Sequence, residues 1–240
     1  MKRLDLQLSS PAENLAADEV LLDLCENGAG GETLVFWEPR AVFVVVGYAN
    51  KVAAEVNTAA CEKRGIPVFR RCSGGGTVVQ MPGGLNYSLI LPITETGPTR
   101  NITAANQFIM EKNRAAIAGL LPAAEISVRG HTDLCLGNLK FAGNSQRRRK
   151  HFLLFHGTLL LDCDLSLISE LLQMPSLQPD YRASRPHESF VTNLNLSAQT
   201  VKTALAKAWN AVDPAPALSP ADISRLVAEK YSTKSWNLKF

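Results

Sequence analysis

The chain has 240 residues, 46% hydrophobic and 20% charged, an ordinary globular composition sized for one large domain or one domain with a small appendage. With 25 Lys and Arg against 22 Asp and Glu, the net charge of +3 is too slight to indicate a nucleic-acid partner. No stretch nears the roughly 20 apolar residues of a membrane span. The cysteines, Cys25, Cys61, Cys72, Cys135 and Cys163, form no Cys-x-x-Cys pair, which argues against a disulfide framework or a zinc site. The expectation is a soluble cytoplasmic protein without a signal peptide.

Residues 4–8 alternate apolar and polar and predict a short strand. Ser10-Pro11-Ala12-Glu13 supplies a cap, a first-turn proline and a capping-box glutamate. The helix that follows is apolar on most sides and places Asp18, Glu19, Asp23 and Glu26 on a polar side. Residues 34–37 and 41–46 are β-branched-rich runs that predict two sheet strands, and 55–64 predicts a short helix ending at Gly65.

Residues 68–91 are the stretch around which the rest is organised. Two strand-like runs enclose Arg70-Arg71-Cys72-Ser73-Gly74-Gly75-Gly76-Thr77-Val78-Val79. Three consecutive glycines suit a tight bend or a backbone that a ligand approaches closely. Amides of such a loop, with the arginines, would cradle a phosphate or acyl phosphate. A plain hairpin loop is the competing reading.

A helix is predicted over 103–121, stopped by Pro122, and two short strands over 126–141 around Leu136-Gly137-Asn138. Gly143-Asn144-Ser145-Gln146 leads to the basic run Arg147-Arg148-Arg149-Lys150, read as a solvated face or as a dock for an acidic partner. A long apolar strand over 152–161 is interrupted by His156-Gly157-Thr158. Short helices are predicted over 165–172, 199–212 and 220–231, the last two parted by a linker at Asp213-Pro214-Ala215-Pro216-Ala217. Strands often follow one another without an intervening helix. The fold class is therefore α+β, a mixed and largely antiparallel sheet flanked by helices.

Lys140 is the leading catalytic candidate. On a strand, Leu139 and Phe141 would face away from it, leaving its ammonium to neutralise a phosphate or polarise an acyl carbonyl; the alternative is an exposed edge lysine. Asp133 would position Lys140 or a ligand hydroxyl, or cap a turn. His156 reads as a hydrogen-bonded core histidine or a site residue, with Gly157 beside it marking close backbone approach. Asn86 would present its amide to the cleft or brace the turn at Pro82-Gly83-Gly84. Cys72, Cys135 and Cys163 are candidate nucleophiles, Cys72 with Arg71 alongside to favour thiolate, but no Cys–His pairing is visible from spacing and a buried inert cysteine is the commoner case.

Four ordered motifs carry a resemblance to the lipoate-protein ligase A family, within the wider biotin/lipoate A/B protein ligase group. Asn14-Leu15-Ala16-Ala17-Asp18-Glu19-Val20 resembles the family's first helix, and the Arg-Arg-Cys-Ser-Gly-Gly-Gly segment resembles its Arg-Arg-x-Ser-Gly-Gly-Gly loop. Gly130-His131-Thr132-Asp133-Leu134 with Lys140-Phe141-Ala142-Gly143-Asn144-Ser145-Gln146 is similar to its Gly-Arg-Asn-Asp-Leu and Lys-x-Ser-Gly-x-Ala-Gln segments, and His156-Gly157-Thr158-Leu159-Leu160 to its His-Gly-Thr-Leu-Leu strand. The resemblance spans about residues 12–196.

The resemblance implies the α/β catalytic domain shared with biotin ligases, over 1–212, followed by a linker and short helical tail over 213–240. It implies activation of lipoate by ATP with Mg²⁺ to lipoyl-AMP, and acyl transfer to a lysine of a lipoyl carrier domain. The carriers would be those of 2-oxoacid dehydrogenases or the glycine cleavage H protein. It implies Lys140 as the catalytic cation. Arg71, Ser73, Gly74, Gly75, Gly76, Thr77, Val78, Val79, Asn86, Asp133, Gly143 and His156 would bind the adenylate, and no residue would bind metal directly. Gln80 stands where the family loop has His, and Thr132 where it has Asn. The accessory domain of longer ligases is reduced here to about residues 213–240, so a separate accessory chain is an expected partner. Octanoyl transfer from acyl carrier protein through a cysteine is the second reading, since no cysteine falls where that nucleophile belongs. Biotin ligation is the third, and a silent lipoyl- or nucleotide-binding protein stays open as a different class.

Overall fold

The computed structural model describes residues 1–175 and 177–240, and the statements below concern those residues. The chain opens with β1 (Lys2–Asp5) and α1 (Pro11–Glu26). The expected capping box starts α1: the Ser10 hydroxyl accepts the Glu13 N–H at 3.3 Å and the Glu13 carboxylate accepts the Ser10 N–H at 2.9 Å. Next come β2 (Thr33–Trp37), β3 (Phe43–Val46), α2 (Val52–Glu55), α3 (Thr58–Arg64), β4 (Val68–Arg70), β5 (Val78–Gln80), β6 (Gly84–Pro92) and α4 (Ile102–Ala118). Then follow β7 (Ile126–Arg129), β8 (Asp133–Leu136), β9 (Leu139–Arg148), β10 (Phe152–Leu160), α5 (Ser166–Leu171) and α6 (Ala198–Ala208). The chain closes with β11 (Asp213–Pro214), α7 (Pro220–Leu226), a π-helical turn over Val227–Tyr231, and α8 (Lys234–Asn237).

The main sheet has eight strands in the order β11-β1-β2-β6-β10-β9-β8-β7, parallel only at β11-β1 and β1-β2. A second sheet runs β4-β3-β5. This is the α+β, mixed and largely antiparallel arrangement expected. Strand alternation divides the core. Leu34 and Phe36 of β2 pack with Ile109 and Met110 of α4 and Val201 and Leu205 of α6 on one face. Val35 and Trp37 turn to the other face, against α1 and Phe43 and Val45 of β3. Val44 and Val46, on the far side of β3, pack against α5. The small sheet thereby sits on the same face as α1. No helix is long and apolar enough to cross a membrane.

Several boundaries differ from expectation for identifiable reasons. The helix expected over 55–64 breaks at Val56-Asn57, where Val56 bridges to Leu172. The region 126–148 holds three strands, not two, because the chain turns at Gly130 (φ +57°) and folds 126–136 into the β7-β8 hairpin, and β9 runs on past Phe141 to Arg148 along β10. The strand at 152–160 is continuous through His156 and Gly157, each paired with β6 and β9. Asp213-Pro214, expected as linker, pairs with Lys2-Arg3 at the edge of the main sheet. Asp18 and Glu19 do not face solvent; both are buried.

Candidate functional site

The glycine loop joins two strands that do not pair with each other. Both β4 and β5 pair with β3, the first parallel and the second antiparallel, so the plain hairpin reading is excluded. The buried Arg71 guanidinium shapes the loop from behind. Its Nη2 donates to the carbonyls of Gly74 and Gly76 at 2.6 Å each, and its Nε donates to the Ser73 hydroxyl at 3.1 Å. Burial pulls its pKa down to about 10, which leaves it charged at neutral pH. A trans peptide sets each carbonyl opposite the following N–H. With the carbonyls of Gly74 and Gly76 turned to Arg71, the amides of Gly75 and Thr77 point away from it. Gly75 has φ of +81°, and a Cβ on Gly47 would lie 2.0 Å from the Gly75 carbonyl oxygen. The loop thus needs glycine at both positions.

A chain of hydrogen bonds fixes the loop to the main sheet and α1. Ser73 Oγ lies 2.6 Å from His156 Nε2, His156 Nδ1 lies 2.7 Å from Asp18 Oδ2, and Ser88 donates to Asp18 Oδ1 at 2.6 Å. Ser73 Oγ already accepts from Arg71, so its own proton goes to His156 Nε2; His156 Nδ1–H then donates to Asp18. The order of donors runs one way through four residues, from Arg71 to Asp18, and Ser88 donates to Asp18 from the other side. His156 is therefore a hydrogen-bonded strand residue whose bonds serve the loop.

Lys140 lies across the cleft. Its ammonium is 2.7 Å from Asp133 Oδ1, and the Tyr181 hydroxyl donates to Asp133 Oδ2 at 2.7 Å. The register between β8 and β9 shifts so that Phe141 is the extra residue of a bulge. The bulge re-aims the strand, sending Phe141 into the α4/α6 core while Lys140 lines the cleft. A Cβ on Gly143 would lie 2.9 Å from Lys140 Nζ, so the lysine passes directly over that glycine. The Lys140 backbone is pinned by Phe190 and Thr192, with bonds of 2.9 Å on each side.

Between these elements lies a cavity of about 990 Å³. Its apolar part includes Leu15, Trp37, Val45, Leu160, Ile168 and Leu172. Arg71, Gly75, Gly76, Thr77, Val78, Val79, Asn86, Asp133, Lys140, Gly143 and His156 all line it. Ser73 and Gly74 do not line it: Ser73 is fully buried behind the lining, and Gly74 is exposed with its carbonyl taken by Arg71 and Ser145.

Asn86 braces its neighbours within the wall. It exchanges amide bonds of 2.8 Å with Gln80, and Thr158 donates to it at 2.6 Å. Asp18, Gln80, Thr158, Tyr87, Asn144, Tyr181, Arg182 and His187 also line the cavity, although none of them is among the site residues expected from the sequence. A signal existed for Asp18: two adjacent acids in a helix otherwise read as mostly buried. Gly157 did mark a close approach, since a Cβ there would collide with Asn144 Oδ1. The 173–191 wall had no such signal, because its prolines mark only irregular chain.

The structure decides between the alternatives for the cysteines and for the basic run. All five cysteines are buried and none lines the cavity. Burial, with Glu19 and Asp18 nearby, pushes the Cys72 thiol up to about 12 despite the adjacent Arg71; burial raises Cys25 and Cys163 to about 11. Cys135 is also raised by burial and lies 3.6 Å from the Tyr181 hydroxyl. The basic run is not a uniform solvated face. Arg148 donates to the Thr99 carbonyl at 2.8 Å, Arg149 pairs with Asp23 at 2.8 Å, and Arg147 lies over the Tyr48 ring at 5.7 Å. Only Lys150 of the four is exposed.

Comparison with known proteins agrees with this architecture. A family model described as the lipoyl protein ligase A/B catalytic domain matches residues 10–210. The octanoyltransferase LipM of Geobacillus kaustophilus is 26% identical over 95% of this chain and 94% of that protein. Two solved structures share the fold. Lipoate-protein ligase A bound with ATP has a TM-score of 0.80 at 24% identity, covering 99% of this chain and 98% of that one. A chain from the bi-partite lipoate protein ligase system of Thermoplasma acidophilum, described with its E2 lipoyl domain, has a TM-score of 0.79 at 23% identity, covering 99% and 96%.

Proposed function

The chain belongs to the lipoyl protein ligase A/B catalytic-domain family, and from that premise we propose that it is a lipoate-protein ligase. It joins lipoate to ATP as lipoyl-AMP and passes the acyl group to a lysine of a lipoyl carrier domain. The observation that carries this reading is the pairing of a cationic, amide-lined cavity with the exclusion of every cysteine from it. A thioester route needs a thiolate at the acyl carbonyl. Burial pushes the Cys72 thiol up to about 12, so it stays protonated at neutral pH. A mixed-anhydride route needs positive charge and hydrogen-bond donors where negative charge develops, and Lys140 with the loop amides meets that need.

In this reading the lipoate carboxylate attacks the α-phosphorus of ATP and pyrophosphate leaves. Lys140 balances charge on the α-phosphate and the acyl carbonyl, while Asp133 holds its ammonium in place. The deprotonated carrier lysine then attacks the acyl carbon and AMP leaves. The apolar walls suit the aliphatic chain of the acid. Mg²⁺ enters with the nucleotide, where it would be held by phosphates and water in its usual manner. Among the described residues no three His, Cys, Asp or Glu side chains cluster to hold a metal.

Carrier domains of 2-oxoacid dehydrogenases or the glycine cleavage H protein are the acceptors in this reading. The fold shared with a bi-partite ligase supports an accessory chain as a further partner. The similarity to LipM along nearly its whole length favours octanoyl transfer from acyl carrier protein as the second reading.

Intact mass of a lipoyl carrier domain separates the two. One reaction contains lipoate, ATP and Mg²⁺; the other contains octanoyl-loaded acyl carrier protein without ATP. A lipoyl mass gain only in the first is expected, and Cys72→Ser, Cys135→Ser and Cys163→Ser each keep it. An octanoyl gain only in the second, lost with one of these cysteines, would replace the ligase reading with the transferase.

A further inference from the structure

The family match ends at residue 210, yet the segment beyond it reaches two residues that each adjoin a support of the glycine loop. One is Arg70, next to the Arg71 that draws in the loop carbonyls. The other is Glu19, next to the Asp18 that orients His156.

At Arg70 the contact is with the backbone. β4 is an edge strand, and the outward N–H and C=O of an edge strand need partners when buried. Side chains of α8 supply them: Asn237 Oδ1 accepts the Arg70 N–H at 3.0 Å, and Trp236 Nε1 donates to the Arg70 carbonyl at 2.8 Å. The Arg70 side chain, itself fully buried, then donates from Nε to the Trp236 carbonyl at 3.1 Å. From Nη1 it donates to the carbonyls of Gly47, Tyr48 and Asn50 at 2.8, 3.1 and 2.8 Å. That turn touches the loop directly, because the Tyr48 N–H donates to the Ser73 carbonyl at 2.8 Å.

At Glu19 the contact is with the side chain. The Tyr231 hydroxyl donates to Oε2 at 2.7 Å, and the Lys230 ammonium bonds both oxygens at 2.8 and 2.7 Å. Asn237 Nδ2 closes the unit by donating to the Tyr231 carbonyl at 2.9 Å.

We infer that Tyr231, Trp236 and Asn237 are positioning residues for the glycine loop, so that the segment after the family domain sets how well the loop binds its acyl substrate. The substrate part rests on the ligase reading; the loop part does not. The test therefore has two readouts on the full chain.

Trp236→Phe removes the donor to Arg70 and keeps an aromatic ring. Asn237→Leu removes both bonds of that side chain, whereas Asn237→Asp keeps the acceptor. Amide hydrogen exchange over residues 72–77 is expected to rise about tenfold in Trp236→Phe and Asn237→Leu, as for loss of one hydrogen bond, and to stay nearer wild type in Asn237→Asp. KM for lipoate is expected to rise about tenfold with kcat within about threefold, the pattern of lost ground-state binding. Wild-type exchange over 72–77, with faster exchange confined to 227–240, would overturn the inference. So would a loosened loop with KM unchanged. If the wild-type chain activates no lipoate, the exchange readout still decides the structural part.

Discussion

On one wall of the cavity the glycine loop is held by hydrogen bonds whose donors and acceptors are spoken for in a fixed order, from Arg71 through Ser73 and His156 to Asp18. On the opposite wall Lys140, Asp133 and Tyr181 are held by an ion pair with a phenol attached. An arriving anion has little to displace on the first wall, because Arg71 is already committed to the loop carbonyls. On the second wall it competes with Asp133 for the Lys140 ammonium. Preorganised donors cost no rearrangement when charge develops, while a cation shared with a carboxylate responds to ligand charge. The first wall therefore sets shape and the second answers to charge.

The largest effect expected is at the charge-responsive wall. Lys140→Ala should lower kcat/KM for carrier lipoylation by about 100- to 1,000-fold, the range for removing one group that stabilises developing charge. The fold should survive, because the Lys140 side chain lies over Gly143 and the backbone bonds to Phe190 and Thr192 remain. Wild-type turnover in the variant, with an unchanged melting curve, would take Lys140 out of the mechanism.

A smaller effect is expected at the shape-setting wall. Gly47→Ala places a Cβ 2.0 Å from the Gly75 carbonyl oxygen, so the loop must shift. KM for lipoate should rise about tenfold, the scale of a mispositioned binding group, with a smaller change in kcat. Equal losses in kcat and kcat/KM would mean that the loop acts only in the transition state, contrary to the division drawn here.

The two walls were also unequally legible in the sequence. The loop announced itself through Arg70-Arg71 and three glycines, and Lys140, Asp133 and His156 through short motifs, because residue type at fixed spacing records local geometry. Asp18 was misplaced on a polar side because helical periodicity reports faces and not what covers them. Its partner His156 lies 138 positions away. For Cys72 the sequence shows the adjacent Arg71 but not the burial that raises the thiol pKa. The 173–191 wall carries no periodicity, and its contribution depends on long-range bonds from Tyr181 and Phe190 to the strands at Asp133 and Lys140. The mixed sheet was readable as a class, but the division of β2 and β3 between two sheets was not, since both are short apolar runs.

The smallest effect expected distinguishes the walls by pH. His187 is buried in the second wall, with Nδ1 3.3 Å from Arg182 Nη2 and Nε2 3.2 Å from the Gln173 carbonyl. Arginine has no acceptor, so Nδ1 must accept and Nε2–H must donate, which is the neutral imidazole. Burial first, with Arg182 and Lys140 adding positive charge, lowers the His187 pKa below 6.5, against the opposing pull of the Gln173 carbonyl and Glu188. The folded wall then binds its proton more weakly than the unfolded chain. Its stabilising contribution is complete above about pH 6.5 and is lost as pH falls toward the lower folded value. The carboxylates with lowered pKa, Glu13, Glu26, Glu111 and Glu188, act with the same sign but below their ordinary value of 4.5. Those carboxylates therefore act below the window from pH 7 to 5, in which the His187 contribution is lost. Amide exchange, corrected for its intrinsic pH dependence, should rise about threefold over residues 187–191 between those limits, as expected for a partly destabilised local unit. His187→Gln keeps an acceptor for Arg182 and a donor for Gln173 without titrating, and should flatten the response. An unchanged profile in that variant would move the pH sensitivity of this wall to another group.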